Sequence, residues 1–440
     1  MNDTTLGVVL LVAWPAFNIL VAGYAIGIAT LANRRRRREP PLAELIAAPG
    51  SLVPQTFWIV VPALNEERVV GRTVAAALAL AAPGGRTEVL VVDDGSDDGT
   101  PRVLAGIDHP RLHVLRRDLP DARRGKGEAL NAAYAYIGRW VRRNGVDPRR
   151  VAVGVIDGDG RGSANLLEEV AFALRDPRIG AVQCRVRIHN RDRLLGAVQD
   201  LEFGCVADAS QLVRTQLGSV GLGGNGQFAR LSALQSLGPS PWSDCLVEDL
   251  ELGLRLHLKG VGVGYVWRAS ISQQGVVQVR RLLRQRTRWA QGNLQCIRYL
   301  PRLSASPQIR SHTLVEMGYY LLAPWLNAFG AVAILALWGY VGVRFATGGV
   351  PFAPDAPHLG AGLWLLAMLV PGVGWALLHR LRLRDERLPR LLVAGLAYPA
   401  FLFFGLVSTW RAVGRQVAGR SGWAKTERLA EEPATPVPVT

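Results

Sequence analysis

A run of small and β-branched apolar residues, Val151 to Ile156, ends in two aspartates one residue apart, Asp157 and Asp159. A continuous apolar run of this kind is typical of a strand buried on both faces in a parallel sheet. Ligands of such sheets bind beyond the carboxyl ends of the strands. Two carboxylates at that position would repel each other unless a cation lay between them. The pattern therefore predicts a divalent-metal site, and a surface Asp-Gly turn is the alternative.

Two earlier apolar runs also end in polar loops. These runs and their loops are Phe57 to Val61 with Pro62 to Asn65, and Val89 to Val92 with Asp93 and Asp94. A helical segment follows the first loop, and the basic loop Arg123 to Gly127 precedes another. This alternation predicts an α/β domain with a mostly parallel central sheet. One edge of the sheet would then carry Asn65, Asp93, Asp94, Asp157 and Asp159 together.

Three later segments add further polar groups. Gly221 to Arg230 combines glycines with the amide of Asn225, as expected where backbone approaches a ligand closely. LVEDLELGLRLHLKG opens with Glu248 and Asp249 and continues with helical periodicity. RQRTRWAQGNLQ gathers four side chains on neighbouring turns of one helix, namely Gln285, Arg286, Arg288 and Trp289.

Several of these groups also have a structural interpretation. Asp93 and Asp94 are suited to capping a helix. Glu248 and Asp249 are acids of the kind that the helix dipole favours in a first turn. Trp289 is of a type that anchors helices at a membrane interface. The sequence alone leaves these alternatives open.

The amino-terminal segment has the composition of a membrane span. Leu6 to Ala32 is apolar without a charge, and five arginines, Arg34 to Arg38, follow it. The chain has a net charge of +16 and is 49% hydrophobic, which is more typical of a membrane protein than of a nucleic-acid binder. The positive-inside rule places Arg34 in the cytoplasm. A basic arm for nucleic acid is the alternative.

Apolar stretches also dominate the chain beyond Ser311. They are Leu314 to Val343, Leu359 to Leu378 and Leu391 to Thr409, and the basic stretch HRLRLRDER separates the last two. Three spans would place the tail outside, but the tail carries Arg411, Arg415, Arg420, Lys425 and Arg428. One of these segments must therefore be interfacial or re-entrant if the tail is cytoplasmic. We predict a multi-pass protein of the plasma (inner) membrane with a cytoplasmic α/β domain.

The predicted organisation has five parts. They are a transmembrane helix over 1–33, a basic linker over 34–55, the α/β domain with a carboxyl-terminal interfacial helix over 56–306, transmembrane or interfacial helices over 307–412, and a tail over 413–440. The four cysteines form no CxxC pair, so neither a zinc site nor a disulfide framework is predicted.

The segments DDGS, DGD, VED and QRTRW, in this order, resemble the family 2 glycosyltransferases with a GT-A fold. The chain is most similar to the membrane-embedded synthases of cellulose, chitin, hyaluronan and poly-N-acetylglucosamine. The resemblance covers Phe57 to Gln295, and GWAKTER after the last apolar stretch also resembles the tail of these enzymes. The chain departs from the usual family pattern at Val247, Gly158 and Arg161.

The resemblance implies roles for the matching residues. The nucleotide-sugar donor would be bound by Pro62, Asn65, Glu66, Asp93, Asp94, Lys126, Asp157 and Arg288. Mg²⁺ or Mn²⁺ would be held on the diphosphate by Asp157 and Asp159. The catalytic acids would be Asp249, as general base, and Glu248, and the acceptor would be bound by Gln285, Trp289 and Asn225.

These roles imply an inverting, metal-dependent transfer of a sugar from a UDP- or GDP-sugar to a growing polysaccharide. The alternative is a single addition to a lipid-linked acceptor. The cation and an arginine would neutralise the leaving diphosphate, and a carboxylate would take the proton of the acceptor hydroxyl. Membrane lipid is a further expected partner, and nucleic acid is not expected. A non-catalytic anchor that binds anionic lipid would not need Asp157, Asp159 and Asp249.

Overall fold

A mixed sheet forms the centre of the structure. The computed structural model describes residues 23, 44 and 46 and the ranges 51–347 and 357–420. Its strands are β1 (Thr56–Ala63), β2 (Arg86–Asp94), β3 (Leu112–Arg117), β4 (Val151–Val155), β5 (Arg161–Gly162), β6 (Ile179–Ile188), β7 (Gln227–Arg230) and β8 (Gly262–Gln273). Their order is β3-β2-β1-β4-β7-β6-β8-β5. The first four strands pair in parallel, and β7 runs antiparallel between β4 and β6.

The register of the parallel strands brings their polar ends to one edge. Ala63 of β1 pairs with Asp93 of β2, and Val60 of β1 pairs with Val155 of β4. The loops that follow β1, β2 and β4 therefore start side by side, as expected for parallel strands. The predicted α/β domain and its parallel strands are confirmed. The antiparallel β7 is an addition that the sequence did not predict.

The strand β1 is buried on both faces because helices cover both sides of the sheet. Phe57, Ile59 and Val61 pack in one apolar cluster, and Trp58 and Val60 pack in another on the opposite face. Each of these five side chains is at most 1% exposed. Successive residues of a strand point to opposite faces, so burial of both faces requires an uninterrupted apolar run.

The helices surround the sheet and continue beyond it. They are α1 (Val70–Leu78), α2 (Thr100–Ala105), α3 (Lys126–Arg143), α4 (Leu166–Ala173), α5 (Leu194–Leu201), α6 (Asp208–Leu217), α7 (Leu231–Gln235), α8 (Glu248–Leu258), α9 (Val279–Cys296), α10 (Leu300–Ser304), α11 (Ser311–Ala346), α12 (Pro357–Arg382) and α13 (Leu388–Val417). A π-helical turn, Glu202–Ala207, joins α5 to α6. The helices predicted around the site motifs are thus present as α3, α8 and α9.

The three long carboxyl-terminal helices coincide with the predicted apolar stretches. Among the residues that the structure describes, one helix, α13, is long and apolar enough to cross a membrane. The prediction of several membrane spans therefore stays a prediction. The helix predicted over 1–33, the arginines that follow it and the tail beyond residue 420 lie outside the described residues.

The helix α13 has one docked face and one exposed face. The docked face follows a spacing of three or four residues and consists of Leu391, Ala394, Tyr398, Phe401, Ser408 and Ala412, all buried. The other face is apolar and at least 45% exposed at Val393, Leu396, Leu402, Phe403, Val407 and Trp410. The docked face lies against α5 and α9, where Phe401 is 5.4 Å from the guanidinium carbon of Arg286. An exposed apolar stripe of this kind is typical of a surface that contacts lipid or another protein.

The basic stretch 379–387, which spans the end of α12 and the loop before α13, packs onto the α/β domain. His379 Nε2 lies 3.1 Å from Oδ2 of Asp200, and the guanidinium of Arg187 donates to both oxygens of Asp200. Arg187 also bonds Asp385 at 2.8 Å, and Arg382 bonds Asp208. These ion pairs hold the start of α13 beside β6 and α5.

Candidate active site

A cavity of about 500 Å³ lies at the edge of the sheet where the parallel strands end. Eleven of the side chains predicted to act line it, namely Pro62, Glu66, Asp94, Lys126, Asp157, Asn225, Glu248, Asp249, Gln285, Arg288 and Trp289. Its volume suits a ligand of the size of a nucleotide-sugar. The predicted residues Asn65, Asp93 and Asp159 are not part of the lining formed by the described residues.

Asn65 and Asp93 instead order the loops beside the cavity. Asn65 has a left-handed φ of 55°, and its backbone N–H donates to Ser96 Oγ at 2.9 Å. Asp93 accepts from the backbone N–H of Ser96 at 3.0 Å and from Arg116 at 2.5 Å. Both residues thus converge on Ser96 and fix the loop after β2. Their predicted donor contacts stay predictions.

Lys126 and Asp157 form the charged centre of the cavity. Lys126 Nζ donates to Asp157 Oδ1 at 2.6 Å and lies 3.7 Å from a carboxylate oxygen of Glu248. Burial lowers the pKa of Lys126, but the carboxylates of Asp157 and Glu248 outweigh it and raise that pKa, so the ammonium stays charged. The start of α3 packs against the backbone at Ser243, which is possible because residue 127 is glycine. A Cβ there would lie 2.1 Å from the carbonyl oxygen of Ser243.

Asp157 and Asp159 point in different directions. Asp157 lines the cavity, whereas Asp159 is only 2% exposed and accepts the backbone N–H of Gln274 at 2.8 Å. Asn225 supports the loop between them, since its Oδ1 accepts the backbone N–H of Asp157 at 3.2 Å and its Nδ2 donates to Gln273 at 2.7 Å. The side-chain amide of Asn225 therefore links the loop that carries the two aspartates to the end of β8. Its predicted acceptor contact is not tested by this geometry.

The helix α8 presents Glu248 and Asp249 to the cavity from its first turn. Burial raises the pKa of Glu248 to about 7, although the Lys126 ammonium opposes the shift. Burial also raises the pKa of Asp249, against the effect of the same ammonium. The loop before β7 passes close to Asp249 at Gly224, which has a φ of 72°. A Cβ at residue 224 would lie 2.7 Å from Asp249 Oδ2. A carboxylate with a raised pKa in a cleft is suited to accept a proton.

The two arginines of the RTRW segment, both on α9, have different contacts. Arg286 forms an ion pair with Glu202 through both of its terminal nitrogens. Its guanidinium carbon also lies 4.8 Å from the centre of the Trp289 ring, which Phe203 contacts edge-on at 6.2 Å. Arg286 therefore holds Trp289 in place. The donor contact predicted for Arg288 stays a prediction. Arg288 also lowers the pKa of Glu248 through its charge, although burial and the other groups leave that pKa raised.

Sequence reasoning missed several residues of the lining. Phe203, Tyr320, Gly405, Ser408 and Thr409 also face the cavity. Phe203 and Tyr320 gave no signal, since isolated aromatic residues are usually part of a core. The pair Ser408 and Thr409 did give one, because adjacent hydroxyls are unusual inside an apolar helix.

Comparisons with known proteins agree with this geometry. The family model described as "Glycosyltransferase like family 2" matches residues 54–292, more than half of the chain. The chain is a family 2 glycosyltransferase. The match spans the sheet, the cavity residues of α3 and α8, and the arginine and tryptophan of α9. The four sequence segments thus identified the family correctly.

Two relatives of this glycosyltransferase are named for different products. Beta-monoglucosyldiacylglycerol synthase of Synechocystis sp. is 33% identical over 313 residues, which cover 68% of this chain and 60% of the relative. Poly-beta-1,6-N-acetyl-D-glucosamine synthase of Staphylococcus epidermidis is 28% identical over 235 residues, which cover 52% of each. This chain therefore matches less than two thirds of the length of either relative.

A solved structure shares the fold. The mannosyltransferase of Pyrobaculum calidifontis, determined in complex with GDP-mannose and Mn²⁺, is similar over 87% of this chain and 98% of its own, with a TM-score of 0.50 and 21% identity. This similarity confirms the predicted GT-A-like architecture of the α/β domain.

Proposed function

We propose that this glycosyltransferase moves a hexosyl unit from a UDP- or GDP-sugar to the hydroxyl group of a membrane lipid, with inversion at the anomeric carbon. One observation carries the proposal. The cavity has the carboxylates and Lys126 on its sheet side, and α13, whose outer face is apolar and exposed, on the other. An acceptor that is part hydroxyl and part hydrocarbon fits such a site.

The sheet side of the cavity suits the donor. Asp94 and the loop after β1 line the end where a base and ribose would bind, and Lys126 and Arg288 supply positive charge for the diphosphate. Arg117 and the backbone N–H of Arg123 both bond the carboxylate of Asp94. The donor end is therefore fixed before any ligand arrives.

The carboxylates of the cavity also fit a bound Mg²⁺ or Mn²⁺. No group of three or more His, Cys, Asp or Glu side chains suited to a metal occurs among the described residues. Mg²⁺ bound with a nucleotide typically takes only one or two carboxylates and completes its coordination with phosphate oxygens and water. Asp157 offers such a carboxylate at the cavity, and Asp159 is the second candidate. The cation would neutralise the charge that develops on the leaving diphosphate.

The remaining steps involve side chains of α8 and α9. Asp249 takes the proton of the acceptor hydroxyl as its oxygen forms the new bond to the anomeric carbon. The bond from that carbon to the diphosphate oxygen breaks, and the nucleoside diphosphate leaves with the electron pair. Trp289 offers a flat apolar face for a sugar ring and limits the access of water.

A polysaccharide acceptor is the second candidate. The similarity to poly-beta-1,6-N-acetyl-D-glucosamine synthases favours it. The identity to the glucosyldiacylglycerol synthases is higher and covers more of the chain, so we place the lipid acceptor first.

A donor and acceptor screen tests the proposal. Purified protein in phospholipid vesicles with dioleoylglycerol would receive UDP- and GDP-sugars in turn, with Mg²⁺ or Mn²⁺. We expect one donor to give nucleoside diphosphate and an equal amount of a lipid with one sugar added, detected by mass spectrometry. A product of many sugars, or diphosphate release without glycolipid, would reject the lipid acceptor in favour of the polymer or of hydrolysis.

A further inference from the structure

The helix α13 contributes a hydroxyl to the cavity that the proposed mechanism does not use. Ser408 is 1% exposed and lines the cavity, and its Oγ has no hydrogen-bond partner among the described residues. Thr409, next to it, donates to the carbonyl of Gly405 at 3.0 Å. Burial of a hydroxyl that makes no hydrogen bond destabilises the fold. Its presence in a cavity therefore indicates a ligand group that forms the missing hydrogen bond.

Gly405, one turn before Ser408, leaves a gap at the rim of the same cavity. A Cβ at residue 405 would meet none of the described atoms within 4 Å. The flanking residues Leu402, Phe403 and Val407 carry exposed apolar side chains. The cavity is thus continuous, across Gly405, with the apolar outer face of α13.

We infer that the acceptor lipid enters the cavity over Gly405 and that Ser408 Oγ hydrogen-bonds its polar end. The inference rests on the proposed function, since it gives the lipid acceptor its route and its binding residue. The acyl chains would lie on the exposed face of α13, and the reacting hydroxyl would reach Asp249. A lipid is the occupant because an apolar route ending at a single hydroxyl matches an amphiphile with a small polar end, whereas a polysaccharide would need polar groups along its path.

Gly405→Leu tests the route because its side chain would extend into the gap. Its added Cβ meets no described atom, and leucine favours a helix more than glycine does. We expect transfer to dioleoylglycerol in vesicles to fall at least tenfold, while the affinity for UDP or GDP stays unchanged. Gly414→Leu is the matched control, since Gly414 lies on the same helix, has equally open surroundings and is not in the cavity lining.

Ser408→Ala tests the hydroxyl. Loss of one hydrogen bond to the acceptor should raise the KM for dioleoylglycerol by about three- to tenfold with little effect on the donor KM. Ser408→Thr keeps a hydroxyl and should stay within about twofold of the wild type, a rescue that a purely structural role would not require. Unchanged acceptor KM in Ser408→Ala would overturn the role of the hydroxyl.

A binding readout separates this inference from the proposed function. A diacylglycerol with a photoreactive diazirine on an acyl chain should crosslink to residues 401–412 in vesicles. The crosslinking yield should be lower than that of the wild type in Gly405→Leu and equal to it in Gly414→Leu. Glycolipid formation with no crosslink on α13, or full transfer by Gly405→Leu, would disprove the route and leave the function standing. Crosslinking on α13 without glycolipid formation would disprove the function and support the lipid site.

Discussion

Lys126 Nζ and Asp157 Oδ1 lie 2.6 Å apart at the centre of the cavity, where a basic loop and the end of a buried strand meet. The two residues are far apart in the chain, and the family resemblance assigned both to the donor and Asp157 to a metal ion as well. Their contact shows that one position holds both a carboxylate and its balancing charge. A bound diphosphate and its divalent cation would add a negative and a positive group at this position.

Replacement of Lys126 should weaken donor binding. Lys126→Gln removes the ammonium that faces the expected diphosphate, and we expect the dissociation constant for UDP or GDP to rise about 10- to 100-fold. Arg124→Gln is the control, since Arg124 is exposed in the same loop and is not in the cavity lining. Isothermal titration of both variants measures the effect. Equal affinities in the two variants would refute the assignment of Lys126.

Replacement of either aspartate of the DGD segment should abolish metal-dependent turnover. Asp157→Ala removes the carboxylate at the cavity, and Asp159→Ala removes the buried one that bonds Gln274. Both should leave circular dichroism and thermal unfolding close to those of Asp192→Ala, a control whose side chain is 74% exposed. Turnover as a function of Mg²⁺ or Mn²⁺ is the measurement. Full activity in excess chelator would exclude the metal. Activity retained in Asp159→Ala alone would assign the metal to Asp157.

Replacement of Asp249 should stop transfer and preserve donor binding. Asp249→Asn keeps the size of the side chain and removes the base, so kcat should fall about 10²- to 10⁴-fold while nucleotide affinity stays within a few-fold. Asp244→Asn is a suitable control because Asp244 is exposed and is not in the cavity lining. A kcat in Asp249→Asn close to that of the control would assign the base to Glu248 instead.

The sequence predicted those parts of the site that come from local patterns. Each apolar run that ends in acids became a parallel strand, because burial on both faces allows no polar interruption. The position of Asn65 and Asp93 at the edge of the sheet that holds the cavity was also predictable. Their contacts were not, since Asn65 bonds Ser96 in the loop of the neighbouring strand, and Asp93 bonds both Ser96 and Arg116 of β3. The contribution of α13 was missed because a contact between residues 400–410 and the sheet edge depends on the tertiary fold.

The ion-pair cluster at Asp200 should make stability depend on pH. Burial alone would raise the pKa of Asp200, but hydrogen bonds from Arg187 and His379 lower it well below its usual value. A lowered pKa in the folded state stabilises the protein above the unfolded pKa of about 3.9. That stability is lost as pH falls below this value. Asp200→Asn should lose about 3–5 kcal/mol at pH 7 and show a weaker dependence on pH below 5.

Thermal unfolding in detergent from pH 7 to pH 3 measures this effect. Asp192→Asn serves as the control, because the side chain of Asp192 is 74% exposed. A wild-type curve that stays flat down to pH 3, or equal unfolding temperatures in the two variants at pH 7, would show that the cluster does not stabilise the fold.

The residues at both ends of α13 should lie on the cytoplasmic side, with the catalytic domain. Before α13, Asp385 bonds Arg187 of β6 at 2.8 Å. At its far end, Arg415 donates to Gln291 of α9 at 2.9 Å. A helix whose two ends touch one domain lies along that domain. We therefore propose α13 as the segment that does not cross the membrane, which would reconcile the basic tail with the positive-inside rule.

All four native cysteines are buried, so new cysteines at 384 and 420 should dominate labelling. We expect a membrane-impermeant maleimide to label both only after cell lysis. Labelling of residue 420 in intact cells would show that α13 crosses the membrane.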